Sequence, residues 1–120
     1  MNWYIVKIIF RIISGGGNHA AQFDEQLRLI KAGSDQAAFE KANRIGISEQ
    51  TVFVNDRKEN VRWEFIAVTE INLLGNLADG AEVYYKIHET ADAASYIETA
   101  KHRSDLLAGR WDSIAVPLSL

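Results

Sequence analysis

The first strongly patterned stretch runs from Trp3 to Ile13, where almost every residue is β-branched or aromatic. The even-numbered positions are all apolar, and the odd-numbered positions are apolar except for Lys7 and Arg11. A strand with two apolar faces is typical of the centre of a sheet that is covered on both sides. The pattern therefore predicts a central β-strand at the start of the chain.

The pattern after this strand predicts a hairpin and then a helix. Residues 14–21 are glycine-rich and polar, which indicates a loop, and residues 22–31 alternate again. Two such strands form an antiparallel hairpin, here with a long connection. A short amphipathic helix then begins at Ser34 or Asp35, and Gly46 ends it in the left-handed conformation that glycine favours.

Three further strands and a second helix follow. Residues 51–54 form a short strand, and residues 61–74 form a longer one whose alternation puts Trp63, Phe65 and Ala67 on one face. Residues 82–87 form the last strand, and residues 92–107 have apolar positions at helical spacing.

The element order is therefore β-β-α-β-β-β-α, which predicts an α+β fold. We expect a single antiparallel sheet of about five strands, with two helices on one face. One domain over residues 1–107 and a C-terminal tail over residues 108–120 account for the chain, because no linker or internal repeat divides it.

Two helices on one face leave the other face of the sheet without a cover. The first strand contributes four apolar side chains to that face: Trp3, Ile5, Ile9 and Ile13. Burying each of them contributes about 1.5–3 kcal/mol, so their exposure would favour association. They are candidate interface residues of a homo-oligomer, in the simplest case a symmetric dimer. Alternatively, the sheet curls over itself and the tail from Gly109 to Leu120 lies across this face.

Composition and charge exclude several classes of protein. The 120 residues carry a formal charge of −3, and the basic residues are scattered, which is unlike a nucleic-acid-binding face. Cysteine is absent, which removes disulfides and thiolate chemistry and favours a reducing, cytoplasmic location. Lys7 and Arg11 interrupt the first apolar run, so it is neither a signal peptide nor a membrane span.

The most function-like stretch is a polar block that follows the glycines. Its members are candidate ligand-binding residues: His19, Gln22, Asp24, Glu25, Gln26 and Arg28. The alternation puts Glu25 on the same face as the apolar residues Phe23, Leu27 and Leu29. A carboxylate in that position must be paired, protonated or at the rim of the sheet. In a functional interpretation, Glu25 is a proton-transfer group or an anchor for a cationic ligand. The structural interpretation, which is favoured, pairs it with Lys7 or Arg11 of the neighbouring strand or places a bulge near Asp24.

Other chemistry lacks the spacing it needs. His19 has no second histidine nearby to complete a metal site, and His88 and His102 are isolated. The run Gly15–Gly17 leads into a strand rather than a helix, unlike a phosphate-binding loop. No serine stands in the strand-turn-helix context of a nucleophile. We therefore expect no catalytic residue, no metal and no cofactor.

Five segments, taken together, resemble a known family. They are NWYIVKIIFRI, GNHAAQFDEQLRLI, VRWEFIAVTEI, DGAEVYYKI and DAASYIETA. In this order and spacing they are similar to DUF4288, a family of small bacterial proteins of unknown function, over about Asn2 to Ala100. The resemblance implies a small, soluble, bacterial single-domain protein. It implies no activity, cofactor or catalytic residue.

The sequence thus supports two hypotheses of function. The first is a non-catalytic interaction module that self-associates through a sheet face and binds a protein or small ligand through its polar strand. The second is a small-molecule enzyme or sensor with a pocket between sheet and helices. Glu25 would be the acid or base of that pocket, helped by His19 or Arg28 and by Tyr84 or Tyr85.

Overall fold

The structure is a computed structural model and describes residues 1–111. It contains six helices and strands in these residues: β1 (Asn2–Ser14), β2 (Gln22–Ala32), α1 (Asp35–Ser48), β3 (Thr51–Val54), β4 (Asn60–Leu73) and α2 (Ala93–Ala108), and a 3₁₀ turn (Gly109–Trp111) follows α2. The strands form one antiparallel sheet in the order β2-β1-β4-β3. The α+β class and the central position of β1 are confirmed.

The chain divides into two compact units, Met1–Tyr85 and Lys86–Leu120. The sheet and α1 belong to the first unit, and α2 with its 3₁₀ turn belongs to the second. The predicted place of both helices on one face of the sheet therefore stays a prediction for α2, as does the single domain over residues 1–107. Residues 112–120 of the predicted tail lie outside the described residues.

Within residues 1–111 the sheet has four strands, so the prediction of about five strands was wrong. The missing strand is the one expected over residues 82–87, a segment without strand structure. Alternation of side chains indicates an extended chain, but a strand also needs an edge to which its backbone groups can bond. The main-chain pairing of β4 continues only as far as Leu74, whose N–H donates to the Trp3 carbonyl at 2.9 Å.

The core lies between the even-numbered face of β1 and helix α1. Tyr4, Val6, Ile8 and Phe10 are almost completely buried there. They pack with a second set of buried residues: Ile30, Ala32, Ala38 and Ala42. The small alanines let α1 approach the sheet closely, and α1 contacts β1, β2 and β4.

Helix α1 begins as predicted and ends later than predicted. The Ala37 N–H donates to Ser34 Oγ at 3.1 Å, which is the expected N-cap. Gly46 does not end the helix; it is a buried residue inside α1, and the C-cap is Glu49. A Cβ at position 46 would overlap the ring of Phe65. Gly46 is thus required for close packing, not for a left-handed turn.

Strand β4 departs from strict alternation at two bulges. The register with β1 shifts between Lys7 and Ile8 and between Ile9 and Phe10. These shifts leave Thr69 and Ile66 of β4 without a partner in β1. Four large residues of β4 consequently pack on the core at the helix side, namely Trp63, Phe65, Val68 and Ile71. Ala67, expected beside Phe65, instead lies opposite Ile9 on the other face.

The second unit is described by itself. The Ser95 N–H donates to Asp92 Oδ1 at 2.9 Å and caps α2, and His88 stacks on Tyr96 with ring centroids 5.1 Å apart. No side chain of α2 is buried. Within residues 1–111, neither helix has the length and apolar character needed to cross a membrane.

Candidate functional site

The structure divides the polar block into three separate places. Asp24, Gln26 and Arg28 lie opposite Phe10, Ile8 and Val6, so their side chains are on the helix side of β2. Glu25 lies opposite Ile9 and is on the other face. His19 and Gln22 lie at the end of the sheet, where the β1–β2 loop meets the β3–β4 turn. The six residues therefore do not form one site.

On the helix side, the polar side chains of β2 form a continuous chain of hydrogen bonds. Gln26 Nε2 donates to Asp24 Oδ2 at 2.5 Å, and Arg28 Nε donates to Gln26 Oε1 at 3.0 Å. Arg28 also forms an ion pair with Glu49, the C-cap of α1. The chain links the edge strand to the end of the helix, so it has a structural task and holds each side chain in one orientation.

An open groove of about 490 Å³ lies beside this chain. Its apolar floor includes Phe10 and Trp63, and its polar lining comes from Gln26 and from the residues that follow α1: Ser48, Glu49, Gln50 and Thr51. Gln50 Oε1 is already used, since it accepts from the Phe65 N–H at 3.1 Å. The groove can accommodate a flat apolar group next to amides and hydroxyls, but it brings no acid and base together.

Glu25 belongs to a cluster of charged and phenolic groups on the face away from α1. Lys7 Nζ lies 3.2 Å from Glu25 Oε1 and 4.0 Å from Glu70 Oε2. The Tyr84 hydroxyl donates to the same Glu70 oxygen at 3.1 Å. The hydrogen bond to Glu25 raises the pKa of Lys7, and the hydrogen bond to the Glu70 carboxylate raises the pKa of Tyr84.

This cluster decides between the interpretations of Glu25. The structural alternative, an ion pair with Lys7, is the arrangement observed. The pocket between sheet and helices that was considered for Glu25 lies on the opposite face, because β-strand alternation turns Glu25 away from α1. The Glu25 side chain is also more than half exposed, unlike the buried carboxyl of a tuned catalytic acid.

His19 closes the β1–β2 loop. The Ser14 N–H donates to His19 Nε2 at 3.0 Å. His19 Nδ1 lies 2.7 Å from the Ala20 carbonyl oxygen. Because a carbonyl oxygen only accepts, Nδ1 carries the ring proton and donates it to this oxygen. Gly15 and Gly17 have positive φ angles of 57° and 80°, which explains the glycines in this turn. Both ring nitrogens of His19 are thus used by the backbone and are not directed at a ligand.

A polar cavity of about 370 Å³ lies next to His19. It is lined from the other side by Asn55, Arg57 and Glu59 of the β3–β4 turn. Asn55 Oδ1 accepts from the N–H groups of Arg57 and Glu59 and thereby shapes this turn. None of these three residues was a candidate from the sequence, because they lie more than 30 residues from His19 and only tertiary packing brings them beside it.

No group of three or more histidine, aspartate or glutamate side chains within residues 1–111 is placed to hold a metal ion. In the polar block, His19 accepts a hydrogen bond from the backbone, and Glu25 forms an ion pair with Lys7. The two cavities described above therefore offer a ligand the polar side chains that line them.

The four candidate interface residues differ in exposure. Ile5 and Ile13 are buried within the chain, at 8% and 9% exposure, while Ile9 is half-buried and Trp3 is partly exposed beneath Lys31 Nζ, 5.5 Å from its ring centroid. Two groups of apolar side chains are more than half exposed on this face: Val52 and Val54 on the edge strand β3, and three residues on β2. We call the three residues on β2 the β2 apolar row: Phe23, Leu27 and Leu29.

Comparison with known proteins gives a family and no activity. The model of DUF4288, described as a domain of unknown function, matches residues 3–85, and the chain belongs to this family. No curated protein and no solved structure matches the chain. The family match ends at the last residue of the first compact unit, so the family corresponds to the sheet with α1.

Proposed function

We propose that this member of DUF4288 is a non-catalytic interaction module that self-associates through one face of its sheet and binds a protein partner or a small ligand. The observation that carries the proposal is the exposed β2 apolar row next to the partly exposed Trp3. Soluble proteins seldom leave a contiguous apolar patch uncovered without an interaction that uses it.

The energetics support self-association. Each large apolar side chain of the row contributes about 1.5–3 kcal/mol when it is fully buried. In a symmetric dimer, every contact occurs twice, which is one reason that most soluble oligomers consist of identical chains. Ile5 and Ile13 would then support the interface from beneath, and Trp3, Ile9 and the β2 apolar row would provide the contact surface.

The paired state of the polar groups supports a non-catalytic role. Glu25 forms a surface ion pair with Lys7, and both ring nitrogens of His19 bond to the backbone of its own loop. The absence of cysteine supports a place in the reducing cytoplasm of a bacterium. The groove lined by Phe10, Trp63 and Gln26 is the place where a small ligand would bind.

The test compares Leu29→Lys with Ile47→Lys. Leu29 is 57% exposed in the β2 apolar row, and Ile47 is 58% exposed on α1, so the two substitutions add the same charge at equally exposed positions. In sedimentation or light-scattering measurements, we expect the unaltered protein and Ile47→Lys to have twice the chain mass of 13.5 kDa. Leu29→Lys should shift toward the single mass. A single mass for the unaltered protein at every concentration would contradict self-association.

A further inference from the structure

Strand β2 forms an open edge of the sheet. It is eleven residues long and, among the described strands, pairs with β1 alone. The outer backbone groups of an edge strand are a template for another strand. Proteins usually protect a long edge of this kind with a bulge, a proline or charged residues that point inward. Residues 22–32 contain no proline, and their two charged residues on the helix side, Asp24 and Arg28, have opposite signs and can pair across a two-fold axis.

We propose that the partner at this edge is the β2 strand of a second copy of this chain, paired antiparallel about a two-fold axis that passes through Gln26. This proposal rests on the proposed self-association but places its main contact at the β2 edge of the sheet instead of across the sheet face. In this register, Asp24 lies opposite the partner's Arg28, and Phe23 lies opposite the partner's Leu29. Because the axis is two-fold, each of these pairs forms twice.

Charge complementarity selects this register over its neighbours. An axis through Glu25 or through Arg28 would place a charged residue directly opposite its own copy, which destabilises an antiparallel pair. An axis through Leu27 would place Asp24 opposite Ile30 and leave its charge unmatched. An axis through Arg28 would also place Glu25 opposite the partner's Lys31. Of the four central positions of β2, only Gln26 places opposite charges opposite each other without a like-charged pair on the axis.

The side chains for these pairs already have suitable orientations. Asp24 and Arg28 are on the same, helix side of β2, and a two-fold axis perpendicular to the sheet keeps the helix sides of both copies together. Gln26 holds the carboxylate of Asp24, and Glu49 holds the guanidinium of Arg28. A guanidinium has five N–H donors, so Arg28 can keep Glu49 and Gln26 and still bond to the partner's carboxylate. Little side-chain entropy is lost on pairing.

On the other side of the joined strands, the β2 apolar rows of the two copies come together. Phe23 packs against the partner's Leu29, and Leu27 packs diagonally against the partner's Phe23, both within the reach of cross-strand neighbours. Glu25 lies opposite the partner's Leu27 and keeps its ion pair with Lys7. The two four-stranded sheets become one continuous sheet. The pairing therefore satisfies the open backbone edge and the two charges, and it covers part of the exposed apolar side chains.

The decisive experiment mixes two charge-reversed variants, Asp24→Lys and Arg28→Glu. Each variant alone places like charges opposite each other twice, so we expect its dimer to dissociate at least about tenfold more readily than the unaltered dimer. A mixed dimer contains one Lys–Glu pair and one original Arg28–Asp24 pair. We therefore expect the mixture to regain the affinity of the unaltered protein in sedimentation equilibrium. The Arg28→Glu chain also loses its ion pair with Glu49, both alone and in the mixed dimer. That loss therefore cannot explain a higher affinity in the mixture.

Cross-linking gives a second, independent measurement that does not depend on charge. The chain has no cysteine, so Gln26→Cys introduces a single thiol. The thiols of two copies would lie directly opposite each other, and we expect rapid covalent dimer formation with a short bis-maleimide. Gln22→Cys is the matched control, because it changes the same residue type on β2 and its two thiols would be eight residues apart along the strands, roughly 26 Å.

The outcomes separate this proposal from the one on which it rests. An unaltered protein that is monomeric at all concentrations overturns both. Two results would overturn the β2 register and leave self-association intact. One is a dimer whose stability neither charge reversal changes, and the other is faster cross-linking through Leu27→Cys than through Gln26→Cys. Weak separate dimers with rescue in the mixture, together with cross-linking at position 26, support the proposed pairing.

Discussion

Single residues in this fold link the strands to one another and to the helix. Lys7, which in the sequence only interrupts an apolar strand, lies between the carboxylates of Glu25 and Glu70, one on each neighbouring strand. Tyr84 adds a hydroxyl to Glu70 from the segment after β4. One cation of the central strand thus connects both of its neighbours, and Glu70 connects the following segment to them.

The Tyr84 contact makes stability depend on pH in the alkaline range. The bond to Glu70 raises the Tyr84 pKa above its ordinary 10.0, so the folded state holds this proton more tightly than the unfolded state. Its contribution is fully present below about pH 10 and is lost as the pH rises through the folded pKa. Lys7, whose pKa is raised above 10.5, acts in the same direction. Melting temperatures between about pH 8 and about pH 11 should fall less steeply in Tyr84→Phe.

The neighbouring residue provides the control for this prediction. Tyr85 is exposed, and the hydroxyl that bonds to Glu70 is that of Tyr84, so Tyr85→Phe should keep the pH dependence of the unaltered protein. Phenolate absorbance of the unaltered protein should show a transition above about pH 10 that Tyr84→Phe removes. Equal alkaline slopes for all three proteins would show that the Tyr84–Glu70 bond does not contribute to stability.

Gly46 determines how closely α1 approaches the sheet. Gly46→Ala should lower the free energy of unfolding by up to about 2 kcal/mol, because overpacking costs about 1–3 kcal/mol and the helix preference of alanine returns about 1 kcal/mol. Urea unfolding measures the change. Gly33→Ala is the control, since no atom lies within 4 Å of its Cβ position. A Gly46→Ala variant as stable as the control would mean that Phe65 moves aside freely.

At the level of elements, periodicity predicted where most strands and helices lie but not which side chains share a face. The α+β class, the β1–β2 hairpin and both helices follow from alternation and capping residues. The faces of β4 do not, because two bulges change the spacing of its core residues from two to three after Phe65. The unpaired residues Ile66 and Thr69 have no distinctive side chain, so the pattern alone gives no signal for them.

The candidate site illustrates the same limit. The polar block was recognisable by composition, and alternation correctly separated Glu25 from Asp24, Gln26 and Arg28. The partner of Arg28 is Glu49, which is 21 residues away and reaches it only because α1 ends above the edge strand. The contacts of His19 with the backbone depend on the loop conformation. Long-range partners of this kind are set by tertiary packing, which local patterns do not contain.

For the molecule as a whole, the distribution of burial assigns the stability to one part of the chain. The buried apolar side chains of the described residues all lie between Tyr4 and Leu74, and α2 buries none. The family match and the first compact unit both end at Tyr85. An 85-residue unit is long enough to enclose a core by itself, whereas an isolated helix of 16 residues is marginal in water.

We therefore expect a fragment of residues 1–85 to unfold cooperatively, with a melting temperature within about 5 °C of the full chain. A change of about 1 kcal/mol in the free energy of unfolding shifts the melting temperature of a unit of this size by about 4–8 °C, so this expectation means that the fragment loses no more than about 1 kcal/mol. A peptide of residues 86–120 should show little helix by circular dichroism. Thermal melts of the two pieces and of the full chain, each at the same concentration, test this directly. A fragment 1–85 without a cooperative transition would mean that the second unit supplies part of the stability of the sheet, and the predicted single domain over residues 1–107 would then be the better description of the chain.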